Sequence, residues 1–264
     1  MHRKTSTIKK QLQEFSPYDY QSKIDCLLNA YDGEECFILG CGPSLNECSP
    51  ETLNSLLKNK LVFSIKQALL IHNDSDFHFC NDNNITTYER RPQTVFCFSA
   101  TNFSSYGLFK QANQNDGAPD LFTEIESPFL KKPLSSTLMF DDYLLEKSIL
   151  RPWGPGIISE VVFYMAVHLG VKKIYTLGWD LGSSKELEEG KHFYDDFISK
   201  SEMVNPAIIE IERDTQKNDI FLSKKIKEWL ASTGIDLVTL SRNTNVHSSI
   251  NRQSIESLIP GVNI

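Results

Sequence analysis

The chain has 264 residues, of which 40% are hydrophobic and 23% are charged, and its net charge is -7. This length and composition are typical of one large globular domain with a substantial core. The negative charge argues against broad binding to nucleic acid, which needs a basic surface.

Cysteine usage and the N-terminal residues indicate the compartment. The six cysteines form no C-x-x-C pair, so we expect neither a zinc knuckle nor a disulfide framework. No apolar signal-peptide core follows the first residues, and no apolar run approaches the ~20 residues of a membrane span. We therefore expect a cytoplasmic protein without a membrane span. Peripheral membrane association and the oligomeric state stay open.

Residues 1–33 are predicted to form a helical arm. Apolar residues recur at near-helical spacing on both sides of a break at Ser16-Pro17, at Ile8, Leu12, Phe15, Ile24, Leu27 and Leu28. We expect this arm to pack on the domain that follows, residues 34–264, or against another subunit.

The remaining chain alternates between strand and helix patterns. Strands are predicted at 36–39, 61–65, 77–80, 94–98, 174–177 and 235–240, and helices from Ser49, over 157–169 and over 215–231. Alternation of this kind predicts a mostly parallel sheet with crossover helices, so the fold class is α/β, Rossmann-like and doubly wound. Two stretches without periodicity, about 100–150 and 181–205, are predicted to be lid or acceptor-binding segments.

A glycine-rich loop, Gly40-Cys41-Gly42-Pro43-Ser44, directly follows the first strand. Its glycines allow a close backbone approach, and a helix start beyond them would offer free N–H groups to a phosphate, with the Ser44 hydroxyl as a further donor. A tight turn without a ligand is the alternative. The loop lacks the lysine of a P-loop, and Leu45 replaces the third glycine of the dinucleotide fingerprint, which disfavours NAD and FAD.

Two blocks of the sequence resemble a known group of proteins. Residues 39–45, Leu-Gly-Cys-Gly-Pro-Ser-Leu, resemble the G-N-G-P-S-L loop of bacterial sialyltransferases that use CMP-sialic acid, and the loop of related Maf-like and hydroxymethylpterin-diphosphokinase-like proteins. Residues 158–181 are similar to a helix followed by the "LG-x-x-x-I-Y-x-x-G-x-D" strand of the same superfamily. His192 lies in the segment after that aspartate, Asp180, where these families often place a histidine.

The resemblance implies a glycosyltransferase that moves an acidic ulosonic sugar, such as sialic acid or Kdo, from a CMP-activated donor to a surface-glycan acceptor. It implies no metal and no cofactor beyond the donor substrate. The expected nucleotide-binding residues are Gly40, Cys41, Gly42, Pro43, Ser44, Gln67, Asn81, Gly156 and Tyr194. Cys41 replaces the loop asparagine of the sialyltransferases, and Gly154-Pro155-Gly156 falls where they have Thr-Ser-Gly, so the sugar itself stays open.

Three side chains are candidates for the chemistry. His192, with an ordinary pKa near ~6.5, suits a base for the acceptor hydroxyl. Asp180 follows a strand, where it either acts on the sugar or ribose or satisfies a turn. Glu160 begins the apolar helix, where it either complements the helix dipole or forms a carboxylate pair with Asp180 for a retaining mechanism. An inverting mechanism through His192 is the alternative.

Five further residues are expected to lie either at the ligand edge of the sheet or in the core. Ser241, Arg242 and Asn243 follow the last strand and are expected at the ligand edge, whereas His78 and His168 are expected to be structural. The competing functions are an ATP-dependent pterin diphosphokinase-like phosphotransferase and a non-catalytic nucleotide-binding module.

Overall fold

The structure, a computed structural model, describes residues 4–81, 89–100, 119–124, 158–181 and 215–259. These residues form an eight-stranded sheet in which neighbouring strands are parallel. The strands are β1 (Glu35–Leu39), β2 (Leu61–Ile65), β3 (Phe77–Asn81), β4 (Val95–Ala100), β5 (Leu121–Glu124), β6 (Lys173–Leu177), β7 (Asp236–Thr239) and β8 (Asn251–Arg252). The predicted α/β, Rossmann-like class is confirmed.

The order of the strands places a topological switch point beside β1. The spatial order is β5-β4-β3-β2-β1-β6-β7-β8. The chain builds the sheet outward from β1 to β5, and then returns to the other side of β1 to add β6, β7 and β8. Leu39 at the end of β1 therefore pairs with Ser64 on one side and with Leu177 on the other. Open α/β sheets bind their ligands outside the carboxyl ends of the strands at such a point.

Five α-helices are described, and one of them, α3, begins at the cap that the sequence predicts. They are α1 (Thr5–Glu14), α2 (Tyr20–Asp25), α3 (Pro50–Leu57), α4 (Phe163–His168) and α5 (Thr215–Ser232), and a π-helical turn, Ile158–Val162, leads into α4. Ser49 caps α3, because its hydroxyl accepts a 3.2 Å hydrogen bond from the Thr52 amide. Within the described part of the chain, no helix is both long and apolar enough to cross a membrane.

Helices cover both faces of the sheet because successive strand residues point to opposite sides. On β1, Cys36 and Ile38 belong to the core shared with α1, α2, α4 and α5. Phe37 and Leu39 belong to a second core shared with α3. All five residues of β2 are buried, as expected of an apolar strand with a covered sheet on each side.

The N-terminal arm packs on its own chain. The N–H groups of Asn29, Tyr31 and Gly33 donate to carbonyls at the C-terminal end of α4, those of His168, Leu169 and Gly170, at 2.8–2.9 Å. The Lys9 ammonium lies 2.7 Å from the Asp120 carboxylate, just before β5. Ile8 and Leu12 of α1 are buried in the larger core. Within the described residues, the arm (1–33) and the domain that follows it (34–264) therefore share one hydrophobic core.

Two strands were not expected from the sequence. β5 lies within the stretch 100–150, which the sequence predicts to be irregular, and Leu121 pairs with Cys97 of β4. Its four residues are too few to show periodicity beside a polar, aromatic-rich background. β8 consists of two exposed residues, Asn251 and Arg252, which give no apolar signal. Both are edge strands, which only their pairing with a neighbour reveals.

Candidate functional site

Three loops meet at the carboxyl ends of the central strands. They follow β1 (residues 40–47), β6 (residues 178–181) and β7 (residues 240–245), and we call them together the switch-point platform. The hydrogen bonds between the main chains of neighbouring strands continue into the platform. The Gly40 amide donates to the Leu177 carbonyl, and the Leu240 amide donates to the Thr176 carbonyl, both at 2.8 Å. The platform therefore lies directly above the switch point of the sheet.

The glycines of the platform allow the first two loops to touch. A Cβ on Gly40 would collide with the carbonyl group of Gly178, and a Cβ on Gly42 would collide with the Asp180 carboxylate. Gly178 itself has a φ of 75°, in the left-handed region that favours glycine. The sequence predicts these glycines for close approach of a ligand, and the structure gives them a second task, the contact between the loops.

Asp180 joins the loops through its carboxylate. One oxygen accepts a 2.8 Å hydrogen bond from the Ser44 amide, and the other accepts a 2.6 Å bond from the Ser44 hydroxyl. The side chain is buried, and this burial raises the pKa of the Asp180 carboxyl while the bonds from the hydroxyl and the amide of Ser44 oppose the rise. The carboxylate thus lies between the loops rather than facing solvent.

The Ser44 hydroxyl is saturated. It donates its single proton to Asp180. Its oxygen accepts from the Gly178 amide at 3.0 Å and lies 2.6 Å from the Ser241 hydroxyl, which must then be a donor to it. The sequence predicts Ser44 as a hydroxyl donor to a phosphate, but in the structure its amide and its hydroxyl both donate to Asp180. Ser44 therefore acts within the protein's own network.

The backbone donors of the glycine loop are mostly satisfied internally. The N–H groups with acceptors are those of Gly40 (Leu177 O, 2.8 Å), Gly42 (Gly178 O, 2.8 Å), Ser44 (Asp180, 2.8 Å) and Leu45 (Gly42 O, 3.2 Å). Pro43 has no N–H. Among the described residues, the Cys41 amide is the loop donor that has no acceptor. The Cys41 amide is thus the backbone donor of this loop that is open to a ligand, and the phosphate cradle stays a prediction.

The Cys41 side chain and Gln67 connect the loop to the end of β2. The Cys41 thiol lies 3.2 Å from the Ile65 carbonyl and 3.7 Å from the Gln67 side-chain oxygen, and its single proton can be donated to either. Burial raises the pKa of this thiol to about 11, and the nearby positive charge of Lys66 opposes the rise. Cys41 is therefore a neutral donor at physiological pH and not a nucleophile.

Two non-glycine residues, one beside the platform and one within it, have a left-handed backbone conformation. Lys66, directly after β2, has a φ of 47°, and Leu181, directly after Asp180, has a φ of 57°. Such conformations are costly for residues with a Cβ, and they concentrate at functional sites. They lie on the two sides of β1, at the ends of the strands that flank it, which supports this edge of the sheet as the functional one.

Glu47 is a member of the platform that sequence reasoning missed. Its carboxylate accepts from the amides of Arg242 and Asn243, at 2.9 and 3.2 Å, and from the Asn243 side chain at 2.9 Å. An open cleft of about 250 Å³ lies here, lined by Pro43, Ser44, Asn46, Glu47 and Asn243. Ser241, Arg242 and Asn243 thus lie at the expected edge, whereas no local signal distinguishes Glu47, whose partners are 195 residues away or more.

Two of the other predicted site residues, Asn81 and Glu160, belong to the described part of the chain. Asn81 ends β3, two strands from β1, and Glu160 lies in the π-helical turn. That turn is at the same edge of the sheet as the platform, because the opposite end of α4 joins the residues just before β1. His192, Tyr194 and Gly156 lie outside the described residues and stay predictions.

Both histidines that the sequence analysis expects to be structural donate hydrogen bonds to main-chain carbonyls. His78 Nε2 donates to the Lys66 carbonyl at 3.1 Å, and His168 Nε2 donates to the Ile24 carbonyl at 2.7 Å. Burial lowers the pKa of His78 to about 3, so its ring is neutral at physiological pH. The bond from His78 also holds the left-handed residue at the end of β2.

Comparisons with known proteins give matches among solved structures. No family model and no curated protein matches the chain. The MAf glycosyltransferase from Magnetospirillum magneticum AMB-1 is similar over 94% of this chain, at 14% identity and a TM-score of 0.45, and the match spans 40% of that protein's length. The sialyltransferase CstII from Campylobacter jejuni with cytidine-5'-monophosphate covers 83% of this chain and 88% of its own, at 14% identity and a TM-score of 0.40.

A second CstII structure, in complex with CMP-3FNeuAc, covers 88% of each chain at 17% identity and a TM-score of 0.38. These are the same kinds of protein that the motifs at residues 39–45 and 158–181 resemble. All three matches have TM-scores below 0.5, and no residue role is taken from them.

Proposed function

We propose that the chain is a glycosyltransferase that takes an acidic ulosonic sugar, such as sialic acid or Kdo, from a CMP-activated donor and transfers it to a glycan acceptor. The observation that carries the proposal is the switch-point platform, a hydrogen-bonded surface at the place where parallel α/β sheets bind their ligands. The two sequence blocks that resemble sialyltransferases both contribute loops to this platform.

The charges around the platform determine where a phosphate is stable. Asp180 and Glu47 are carboxylates on the β6 and β7 side, and both repel an anion. The amides of Gly40 and Gly42 donate to carbonyls at the end of β6. Because alternate amides of an extended chain point to opposite sides, we expect the open Cys41 amide to point toward β2. Lys66 at the end of β2 is the positive charge that acts on Cys41. We therefore assign the donor phosphate to the Cys41 and Lys66 side of the platform.

The acceptor chemistry is assigned to His192 as the general base. Removing a proton from the acceptor hydroxyl makes it a better nucleophile toward the anomeric carbon. This role rests on the resemblance and on the position of His192 in the chain after β6. With His192 as the base, the reaction does not need the retaining mechanism through a Glu160 and Asp180 pair. Asp180 is moreover already hydrogen-bonded to Ser44.

A ligand titration tests the proposal. CMP without metal should raise the melting temperature of the wild-type protein, because a ligand that binds only the folded state stabilises it, whereas ATP with Mg²⁺ and NAD should not. Lys66→Ala should weaken CMP binding about tenfold through the loss of one charge contact, and the exposed Lys58→Ala is its matched control. His192→Ala should bind CMP normally and lose transfer.

Other results would contradict the proposal. Stabilisation by ATP only in the presence of Mg²⁺ would favour the pterin diphosphokinase-like alternative. No stabilisation by CMP or by a CMP-linked sugar would remove the glycosyltransferase proposal. Equal CMP affinity of the Lys66 and Lys58 variants would remove the phosphate assignment alone.

A further inference from the structure

The Asp180 carboxylate occupies a position that the sequence offers to a ligand anion. Its partners are the amide and the hydroxyl of Ser44, near the start of the 3-10 helix Pro43–Glu47. These are the groups that a phosphate would use in a glycine loop followed by a helix. The carboxylate group comes from the chain itself, 136 residues after Ser44.

We propose that Asp180 is a positioning residue, an internal anion that locks the glycine loop onto the ends of β6 and β7 and so fixes the direction of the Cys41 amide. The inference rests on the proposed function for the identity of the ligand, but not for the lock itself. It replaces the expectation that Asp180 acts on the sugar.

The geometry favours positioning over chemistry. A carboxylate nucleophile or base needs an oxygen that faces the reacting atom. Both oxygens of Asp180 accept hydrogen bonds from Ser44, and the residue is only 5% exposed. Gly42 packs against the same carboxylate so closely that it has no room for a Cβ. Asp180 therefore faces the loop rather than the ligand.

The lock extends over three strands through one hydroxyl. The Ser44 hydroxyl oxygen accepts hydrogen bonds from the Gly178 amide, in the loop after β6, and from the Ser241 hydroxyl, after β7. The main chain reinforces the connection, because the Asn245 amide donates to the Asp180 carbonyl at 2.9 Å. Loss of the carboxylate would leave the buried amide and hydroxyl of Ser44 without their acceptor, which is costly. The loop that carries the Cys41 amide would then lose its fixed shape.

Two substitutions and a chemical rescue test the lock. Asp180→Ala should lower the melting temperature by roughly 5–10 °C and weaken CMP binding by at least about tenfold. Asp180→Asn should restore most of both, because the amide oxygen still accepts from the Ser44 amide while its NH₂ donates to the Ser44 oxygen, whose proton then turns to Ser241. Sodium formate should raise the melting temperature of the alanine variant more than sodium chloride does.

The matched control is Asp236→Ala, which removes an exposed aspartate that lies 3.4 Å from Lys173 at the opposite edge of the sheet. It should show neither the loss of CMP affinity nor the formate effect. A wild-type melting temperature for Asp180→Ala would overturn the lock. So would an asparagine variant that binds CMP normally but transfers sugar more than about a hundredfold more slowly, since the charge would then act on the reaction. If wild-type protein binds no CMP, the proposed function fails, and the melting temperatures with and without formate still decide the inference.

Discussion

At the scale of single residues, a buried aspartate accepts hydrogen bonds at each of the two edges of this sheet. Asp180 does so at the carboxyl edge, and Asp76 does so at the amino edge, directly before β3. The fully buried Asp76 accepts a 2.9 Å hydrogen bond from the Val62 amide of β2 and a further bond from the Thr5 hydroxyl of α1. The Tyr31 hydroxyl lies 2.7 Å from the same threonine oxygen. One carboxylate thus connects the sheet to the N-terminal arm.

Removal of this carboxylate should be strongly destabilising. In Asp76→Ala the Val62 amide and the Thr5 hydroxyl lose their acceptor, and we expect the free energy of unfolding to fall by about 3 kcal/mol. Urea denaturation measures the change. The matched control, Asp74→Ala, removes a half-buried partner of Arg91 at 3.0 Å and should cost under ~1 kcal/mol. Equal losses in both variants would show that the buried network adds nothing.

At the scale of elements, α1 contributes to the core although it lies outside the alternating pattern of strands and helices. Its buried residues Thr5, Ile8 and Leu12 recur on one face of the helix. The same stretch of chain also carries an exposed leucine, Leu28, after α2. The exposed fractions of Leu12 and Leu28 are 1% and 60%, so the two leucines form a matched pair.

Truncation of Leu12 tests whether the arm packs in cis. Leu12→Ala should lower the free energy of unfolding by about 3 kcal/mol, because it removes buried methyl groups and leaves a cavity, whereas Leu28→Ala should change it little. Denaturation at two protein concentrations measures both effects. A midpoint that rises with protein concentration would indicate instead that the arm is stabilised by another subunit.

At the scale of the whole molecule, buried histidines make stability depend on pH. Burial lowers the pKa of His72 to about 4 and that of His78 to about 3. The His72 Nδ1 lies 2.9 Å from the side-chain oxygen of Asn54. Below the ordinary histidine pKa of about 6.5, the unfolded chain therefore binds protons that the folded protein does not. Stability must rise with pH in this window and fall as the solution becomes acidic.

The free energy of unfolding should accordingly decrease between pH 6.5 and pH 5. Two protons taken up by the unfolded chain alone give a limiting slope of about 2.7 kcal/mol per pH unit. Urea denaturation across this range measures the slope, and His72→Gln should reduce it by about half. A flat profile would show that neither histidine is buried in its neutral form, and an unchanged slope in the variant would exclude His72 alone.

Much of the fold follows from local sequence signals. Six of the eight described strands were predicted within one or two residues, because each is a short apolar run bounded by polar or glycine residues. The start of α3 was predicted because Ser49-Pro50 is a favourable cap. β5 and β8 were missed because an edge strand of four or two residues has too few positions to show a pattern.

The sequence by itself determined the class of fold, the position of the glycine loop after β1 and the arrival of the β7 loop at the same edge, since each depends on periodicity and chain order. Only the tertiary structure decided what the loop residues do. It brought Asp180 to Ser44 and the Arg242 and Asn243 amides to Glu47 across 136 to 196 residues of chain. Such contacts depend on which strands become neighbours, and periodicity within a segment carries no information about a partner so far away.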